Sequence, residues 1–441
     1  MLSPAVLPPA APPPAELFTL PNGLKVAAQT RPGAAFALRL RLPWGSAHDP
    51  LGEEGAAGVL EEWVFKGAGG RSARALADTF DAQGLRLSSG VGAEATSMGL
   101  SGLGEGLGAA LHLLADVVIR PELPDAELTV LSDLARQDLE GLRDSPADAL
   151  DLQFWAGVMG GATETAAGQL SGFGHPSSGT LSGLAALTPE TLRAAYARWG
   201  ARGSLLAVVA DCRPAEIRTR VEDAFGAWGP GAAPVQVEPH FHAGYAAHIP
   251  HAGSEQTHLR LAWPAPAAGH PDRLPSQLAL EAFSGGSASR LFQAVREERG
   301  LAYFAEASAI TAGTQGFWLL DAASTPGRAG ETLAVLQQET EQLRWGLTAR
   351  EFERARRAWL ISLAFAEEKR SARVRTMLHE LLVLGRLRLP GERRAQIEAL
   401  TLEGVNEYLA AVPDPLDGAA LLTLGREPLQ ALGPHRVELT A

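Results

Sequence analysis

Cysteine is almost absent from this chain: Cys212 stands alone among 441 residues. One thiol can neither close an intrachain disulfide nor build a thiolate metal cluster, so a reducing compartment is the simplest home. Lysine is nearly as scarce. Only Lys25, Lys66 and Lys369 occur among 38 Lys plus Arg, a compositional bias toward arginine rather than a sign of arginine-based recognition. Positive charge is also in deficit: 50 Asp plus Glu leave a formal net charge of −12, and such a field repels phosphate backbones, which argues against a nucleic-acid partner. No apolar run reaches the roughly 18 residues a membrane-spanning helix needs. The start, MLSPAVLPPAAPPP, lacks the basic opening of a secretion signal and carries six prolines, which interrupt the apolar helix such a signal forms. A cytoplasmic protein with a flexible, proline-rich start over residues 1–14 and no membrane partner is expected.

What remains is ample material for folding. Hydrophobic residues make up 46% and charged residues 20%, a balance that builds full cores. The length exceeds one ordinary domain. GPGAAPVQVEPHF (229–241) is rich in Gly, Pro and Ala without helical period and reads as a linker. It divides an N-terminal domain, 15–228, from a C-terminal domain, 242–441.

The two parts repeat one order of elements. LRLRLPWG (38–45) parallels HLRLAWPA (258–265) as alternating, half-buried strands. LTPETLRAAYARW (187–199) parallels LTLEGVNEYLAAV (400–412) as Thr-capped helices, and SLLAVVAD (204–211) parallels AALLTLGR (419–426) as late buried strands. Helices are also expected over 68–87, ended by Gly84, and over 106–121, 330–345 and 348–368. A duplicated α+β domain, each copy a mostly antiparallel sheet packed with helices, accounts for the pattern.

Two constellations bear on chemistry. SRLFQAVREERGLAYFAEAS (289–308) is expected to run as a helix carrying Arg296 on its last turn, ended by Gly300, with Tyr303 just beyond on a strand. A guanidinium and a phenol hydroxyl both donate hydrogen bonds at neutral pH and suit a developing oxyanion; spacing alone equally allows an Arg paired with Glu297 or Glu298 and a Tyr packed in a core. Five histidines, His240, His242, His248, His251 and His258, fall within nineteen residues. HxH on a strand can chelate, yet no carboxylate completes these at fixed spacing and most lie in or beside the linker, so no metal site is assigned to them.

FTLPNGLKV (18–26), GSAHD (45–49), VFKG (64–67), EQTHLRLAW (255–263) and above all SRLFQAVREERGLAY (289–303) resemble landmarks of the pitrilysin and insulinase family of zinc peptidases, in its mitochondrial processing peptidase-like branch. The resemblance covers residues 15 to 435. It implies a processing-peptidase-like metallohydrolase fold in which the two domains form a half-shell, paired with a second shell around a peptide chamber. It assigns Arg296 and Tyr303 to the family's Arg-x6-Tyr pair. The family's HxxEH falls on Gly58, Val59, Leu60, Glu61 and Glu62, so zinc-ligand positions hold Gly58 and Glu62, and the distal ligand falls near Gln137 or Asp138. Glu61 keeps the general-base position without imidazole neighbours; by itself it is expected to be an exposed helix carboxylate. The substrate-pairing strand falls on SSGVGAEAT (88–96), which lacks the family's usual polar pattern and specifies peptide pairing weakly.

The resemblance therefore implies no cofactor in this chain, zinc in a homologous HxxEH-bearing partner, and a peptide or small unfolded protein as substrate. The chain is expected to be the zinc-free subunit of a heterodimeric metalloendopeptidase, inactive alone, with Arg296 and Tyr303 as catalytic residues. A non-catalytic structural or peptide-binding scaffold is the alternative, and a self-sufficient metal enzyme built on the histidine cluster comes third.

Overall fold

The computed structural model describes residues 14–160 and 172–429; the proline-rich segment 1–13 lies outside them. The N-terminal half runs β1 (Glu16–Thr19), β2 (Lys25–Thr30), β3 (Ala35–Leu42), α1 (Ala56–Trp63), a small hairpin β4 (Gly67–Ala68) and β5 (Arg71–Ser72), and α2 (Ala73–Ala82). It continues with β6 (Arg86–Val91), β7 (Thr96–Leu103), α3 (Leu107–Ile119), α4 (Asp125–Asp144), α5 (Pro146–Gln153), α6 (Leu181–Ala186), α7 (Pro189–Tyr196), β8 (Leu205–Ala210) and α8 (Pro214–Phe225). The C-terminal half holds β9 (Ala246–Pro250), β10 (Thr257–Ala265), α9 (Arg273–Ser284), β11 (Ala302–Ala312), β12 (Gln315–Ser324) and α10 (Ala329–Leu343). It ends with α11 (Ala349–Glu368), α12 (Arg370–Leu384), α13 (Glu392–Glu398), α14 (Leu402–Ala411) and β13 (Ala420–Gly425).

The helix expected over 68–87 is shorter than its pattern suggested. Gly67–Ser72 turns back on itself as a hairpin, Ser72 Oγ accepts from Ala75 N to start α2, and residues 86 and 87 already belong to β6. A Ser side chain satisfying an orphan helix donor fixes the start more sharply than hydrophobic period does.

Apart from the small β4-β5 hairpin, each half forms one sheet, ordered β1-β2-β8-β3-β7-β6 and β9-β13-β10-β12-β11. The strands of the second correspond in order to β2-β8-β3-β7-β6. In both, the one parallel pairing joins the first strand of that series to the late buried strand, β2 with β8 and β9 with β13, and the remaining neighbours are antiparallel. The α+β duplication is thus repeated down to strand direction.

Alternation along the strands divides each sheet into two apolar faces. Val26, Leu38, Leu40, Leu206 and Val208 meet the helices of their own half. The opposite face, Ala27, Ala37, Leu205, Ala207 and Val209, is covered by Val374, Met377, Leu378 and Leu381 of α12, a helix from the other half. The exchange is reciprocal. Ile249, Ala262, Phe317, Leu319, Leu422 and Leu424 of the C-terminal sheet pack on Ala149 and Leu150 of α5 and on Phe154, Val158 and Met159 beyond it. This explains why all six residues of β8 are buried: a strand with both faces covered reads as a continuous apolar run.

Polar contacts pin the exchanged helices. Arg260 on β10, 12% exposed, holds Asp321 of β12 at 2.6 Å and reaches Asp151 of α5 at 2.7 Å. On the other side Arg373 of α12 donates to Gln29 Oε1 of β2 at 2.8 Å. Residues 229–241 have no regular secondary structure and lie against both halves. His48 Nε2 lies 3.0 Å from the Val235 carbonyl, and Thr314 N donates to Glu238 Oε2 at 2.9 Å.

Met377→Ala and Leu378→Ala each remove a large apolar side chain from the shared layer and are expected to cost about 2–5 kcal/mol in urea unfolding. A fragment of residues 14–241 keeps its sheet but lacks α12, and is expected to bind anilinonaphthalene sulfonate and aggregate. Co-expression with residues 242–441 should restore a soluble, dye-silent complex.

Candidate functional site

Arg296 and Tyr303 are brought together by two local irregularities. The segment from Leu291 tightens its start on Ser289 and then widens into a π-helical turn over Phe292–Glu297, closed by Glu298 N donating to Gln293 O at 2.9 Å. The sequence pattern suggested an ordinary helix, because Leu291 and Val295 keep the same apolar spacing in either form. Gly300, at φ +54°, turns the chain back, a conformation that costs a side-chain-bearing residue energy. Tyr303 is then the extra residue of a β-bulge, since Ala302 pairs with Ser324 and Phe304 with Ala323. Bulges re-aim side chains, and Tyr303 stands 79% exposed.

The Arg296 guanidinium lies 4.3 Å from the Tyr303 ring centroid and 4.9 Å from that of Phe292, with Nη1 3.4 Å from the Tyr303 carbonyl. Aromatic faces attract a cation and fix its plane. Neither neighbouring acid takes this arginine: Glu298 pairs with Arg299 at 3.0 Å. Nor is Tyr303 a core residue. The base of the turn is anchored by Arg290, which binds Glu351 of α11 through both oxygens at 2.5 and 3.0 Å and the Gly346 carbonyl at 2.6 Å. Burial works against the Glu351 charge, but Arg290 and the Thr348 cap prevail and hold its carboxyl down to about 2. The result is a pair of donors at the edge of the C-terminal sheet, Arg296 on the π-turn and Tyr303 on the outermost strand β11.

The α1 turn is built differently. Gly58 faces the loop before α6, where an added Cβ would come within 2.9 Å of the Ser177 carbonyl. Glu61 is 8% exposed, so the expectation of an exposed carboxylate at this position is corrected. The α1 face that carries it packs toward β6, where burial raises the Glu61 carboxyl above the ordinary range, opposed by the Ser89 hydroxyl. Glu62 and, on α4, Gln137 and Asp138 are exposed. Segment 86–91, the strand β6, is the outer strand of its sheet and is exposed along nearly its whole length.

Sequence reasoning missed the cap that sets α1. Asp49, 4% exposed, accepts from Gly55 N at 3.0 Å and Ala57 N at 2.9 Å, and burial raises its carboxyl to about 7 despite those bonds. An Asp seven residues ahead of a helix gives no local capping signal, because the bond closes over a loop. The histidines do not converge. His248 lies within β9 rather than in the linker and bonds Thr423 at 2.8 Å, His240 and His242 stack edge to face at 5.0 Å, and His258 sits on β10. Among the described residues no group of three or more His, Cys, Asp or Glu side chains is placed to hold a metal ion.

Comparison with known proteins places this architecture. Residues 25–159 match the insulinase (peptidase family M16) model, and residues 186–359 match the peptidase M16 inactive domain model. The chain belongs to the M16 peptidase family. It is 28% identical over 416 residues to an uncharacterized zinc protease of Mycobacterium leprae, covering 92% of this chain and 90% of that one. It is 26% identical over 402 residues to an uncharacterized zinc protease of Bacillus subtilis, covering 88% and 93%. Among solved structures, a peptidase M16 inactive domain from Pseudomonas fluorescens superposes with a TM-score of 0.82 at 21% identity, covering 94% of this chain and 98% of that one. A protease from Helicobacter pylori gives 0.83 at 16% identity, covering 94% and 100%.

M16 membership implies zinc, and the residues of this chain do not fit it. Position 58 has no imidazole and too little room for one, position 62 is an exposed carboxylate, and the α4 positions face solvent. Replacing Gly58→His together with Glu62→His is expected to lower stability by about 1–3 kcal/mol through crowding and to leave zinc well below one equivalent by elemental analysis. For Asp49 the sign is opposite to that of a salt-bridged acid. A folded pKa near 7, above the unfolded value of about 3.9, means stability is fullest below pH 4 and declines as pH rises through 7. Asp49→Asn should flatten that decline in denaturation midpoints measured between pH 4 and 8.

Proposed function

We propose that this chain is the zinc-free subunit of a two-chain M16 metalloendopeptidase. It encloses peptides or small unfolded proteins against a homologous partner that bears HxxEH and supplies the metal and general base. The observation that carries the proposal is the pairing of two opposite features in one M16 chain: a metal turn closed over by Ser177, and an Arg296/Tyr303 pair held open to solvent by a π-turn and a bulge. A core tyrosine and an ion-paired arginine would need neither irregularity.

On this reading Arg296 and Tyr303 donate to the scissile carbonyl as its oxygen gains charge. The guanidinium supplies fixed positive charge and the phenol a neutral donor. The stacked geometry keeps both in place before substrate arrives, so little reorganisation accompanies the reaction. The exposed outer strand β6 offers unpaired backbone groups to an extended peptide, with Ser88, Ser89 and Gly90 giving little side-chain selectivity.

The purified chain mixed with an HxxEH-bearing M16 partner is expected to cleave unstructured peptides, while neither chain does so alone. Tyr303→Phe and Arg296→Ala in that mixture should each lower kcat by about 10²- to 10³-fold with binding to the partner unchanged. Full turnover by either variant would assign the pair a structural role. Stable association with an assembly that has no peptidase activity would favour the scaffold alternative.

A further inference from the structure

A cavity of about 710 Å³ opens at the end of the C-terminal sheet remote from Tyr303. It lies where β10 ends and β12 begins, and α14 closes one side. Tyr303 sits beside Ser324, eight residues along β12 from the cavity's Gly316, which separates the two places by roughly 25 Å at strand rise. The volume lies within the range that holds small ligands. Nothing in the proposed peptidase role uses it.

The lining is mainly apolar, with Trp263, Phe317, Trp318, Tyr408 and Val412 around it. Trp263 and Trp318 are packed with ring centroids 6.0 Å apart, and Trp318 Nε1 is already satisfied by Ser276 Oγ at 3.1 Å. The Trp318 ring therefore presents carbon to the cavity and its indole N–H is spoken for. Arg344, which follows the last turn of α10, is different. Its side chain lines the cavity and is 38% exposed, and its Nη1 stands 3.9 Å from Asp414, too far for a good hydrogen bond. A guanidinium on an apolar wall with so loose a partner keeps planar donors available to a second acceptor, and an anionic one binds them most strongly.

We propose that this cavity binds an apolar carboxylate, with Arg344 holding the head group and the tryptophan and tyrosine walls enclosing the body. Two sources share that chemistry, the C-terminal residue of a short apolar peptide and a medium-chain fatty acid. Asp272 and Glu407 on the same lining attract an ammonium, which a short peptide carries and a fatty acid lacks, and so favour the peptide.

The site is testable on the full chain alone, with no partner and no reliance on Arg296 or Tyr303. Calorimetric titration with the dipeptide Leu-Phe, its C-terminal amide and decanoate separates head group from body. At least one of the two carboxylates is expected to bind at least tenfold more tightly than the amide. Arg344→Gln should weaken the carboxylate by about 10- to 100-fold and leave the amide unchanged, and Val412→Trp, which fills the cavity, should weaken both. Tight Leu-Phe binding identifies the peptide source and tight decanoate binding the fatty-acid source. Equal affinity for acid and amide, indifference to Arg344→Gln, or no binding of either carboxylate at millimolar concentration would overturn the assignment.

Discussion

The structure depends on an exchange of helices between its halves. Each sheet has two apolar faces and only enough helices of its own to cover one. α12 closes the N-terminal sheet through Met377 and Leu378, and α5 with the turn after it closes the C-terminal sheet through Leu150 and Phe154. Each large side chain removed from water contributes about 1.5–3 kcal/mol, so two such layers hold the halves together more firmly than any surface contact. Arg260 fixes the arrangement in register by binding a carboxylate from each side of the boundary. The half-shell is therefore one body made of two repeats, and any partner meets a surface whose geometry is already set.

Within that body the repeats have diverged in local structure. α1 carries Leu60-Glu61-Glu62-Trp63 and α9 carries the similar run Leu280-Glu281-Ala282-Phe283, and in both the first glutamate is pushed toward its neutral form by burial. These carboxylates are integrated into packing. Arg296 and Tyr303 show the reverse: backbone irregularity is spent on keeping two polar side chains together at the surface.

Much of the fold was legible because its signals are local or periodic. SLLAVVAD announced a buried strand, although the sequence gives no hint that its second face is covered by α12 from the other half. The repeat was visible in matching strands and Thr-capped helices. Boundaries failed where turn chemistry competed with helical period, as at Gly69, Gly70 and Ser72, and where alternation outran composition, as with His248, a histidine drawn into β9 by its bond to Thr423. The resemblance singled out Arg296 and Tyr303, but the π-turn and bulge that bring them together could not be read, since both leave the apolar pattern unchanged. The long-range cap of Asp49 on α1 has no signature short of the folded loop.

The exchange of α12 also sets a schedule for biogenesis. When Ala210 leaves the ribosome the N-terminal sheet can pair its strands, yet the helix that covers its second face ends at Leu384. At ordinary elongation rates of about 5–20 residues per second the nascent chain carries that uncovered face for roughly ten to thirty seconds. Vectorial synthesis therefore leaves a window in which chaperone engagement, or pairing with another nascent chain, competes with self-completion.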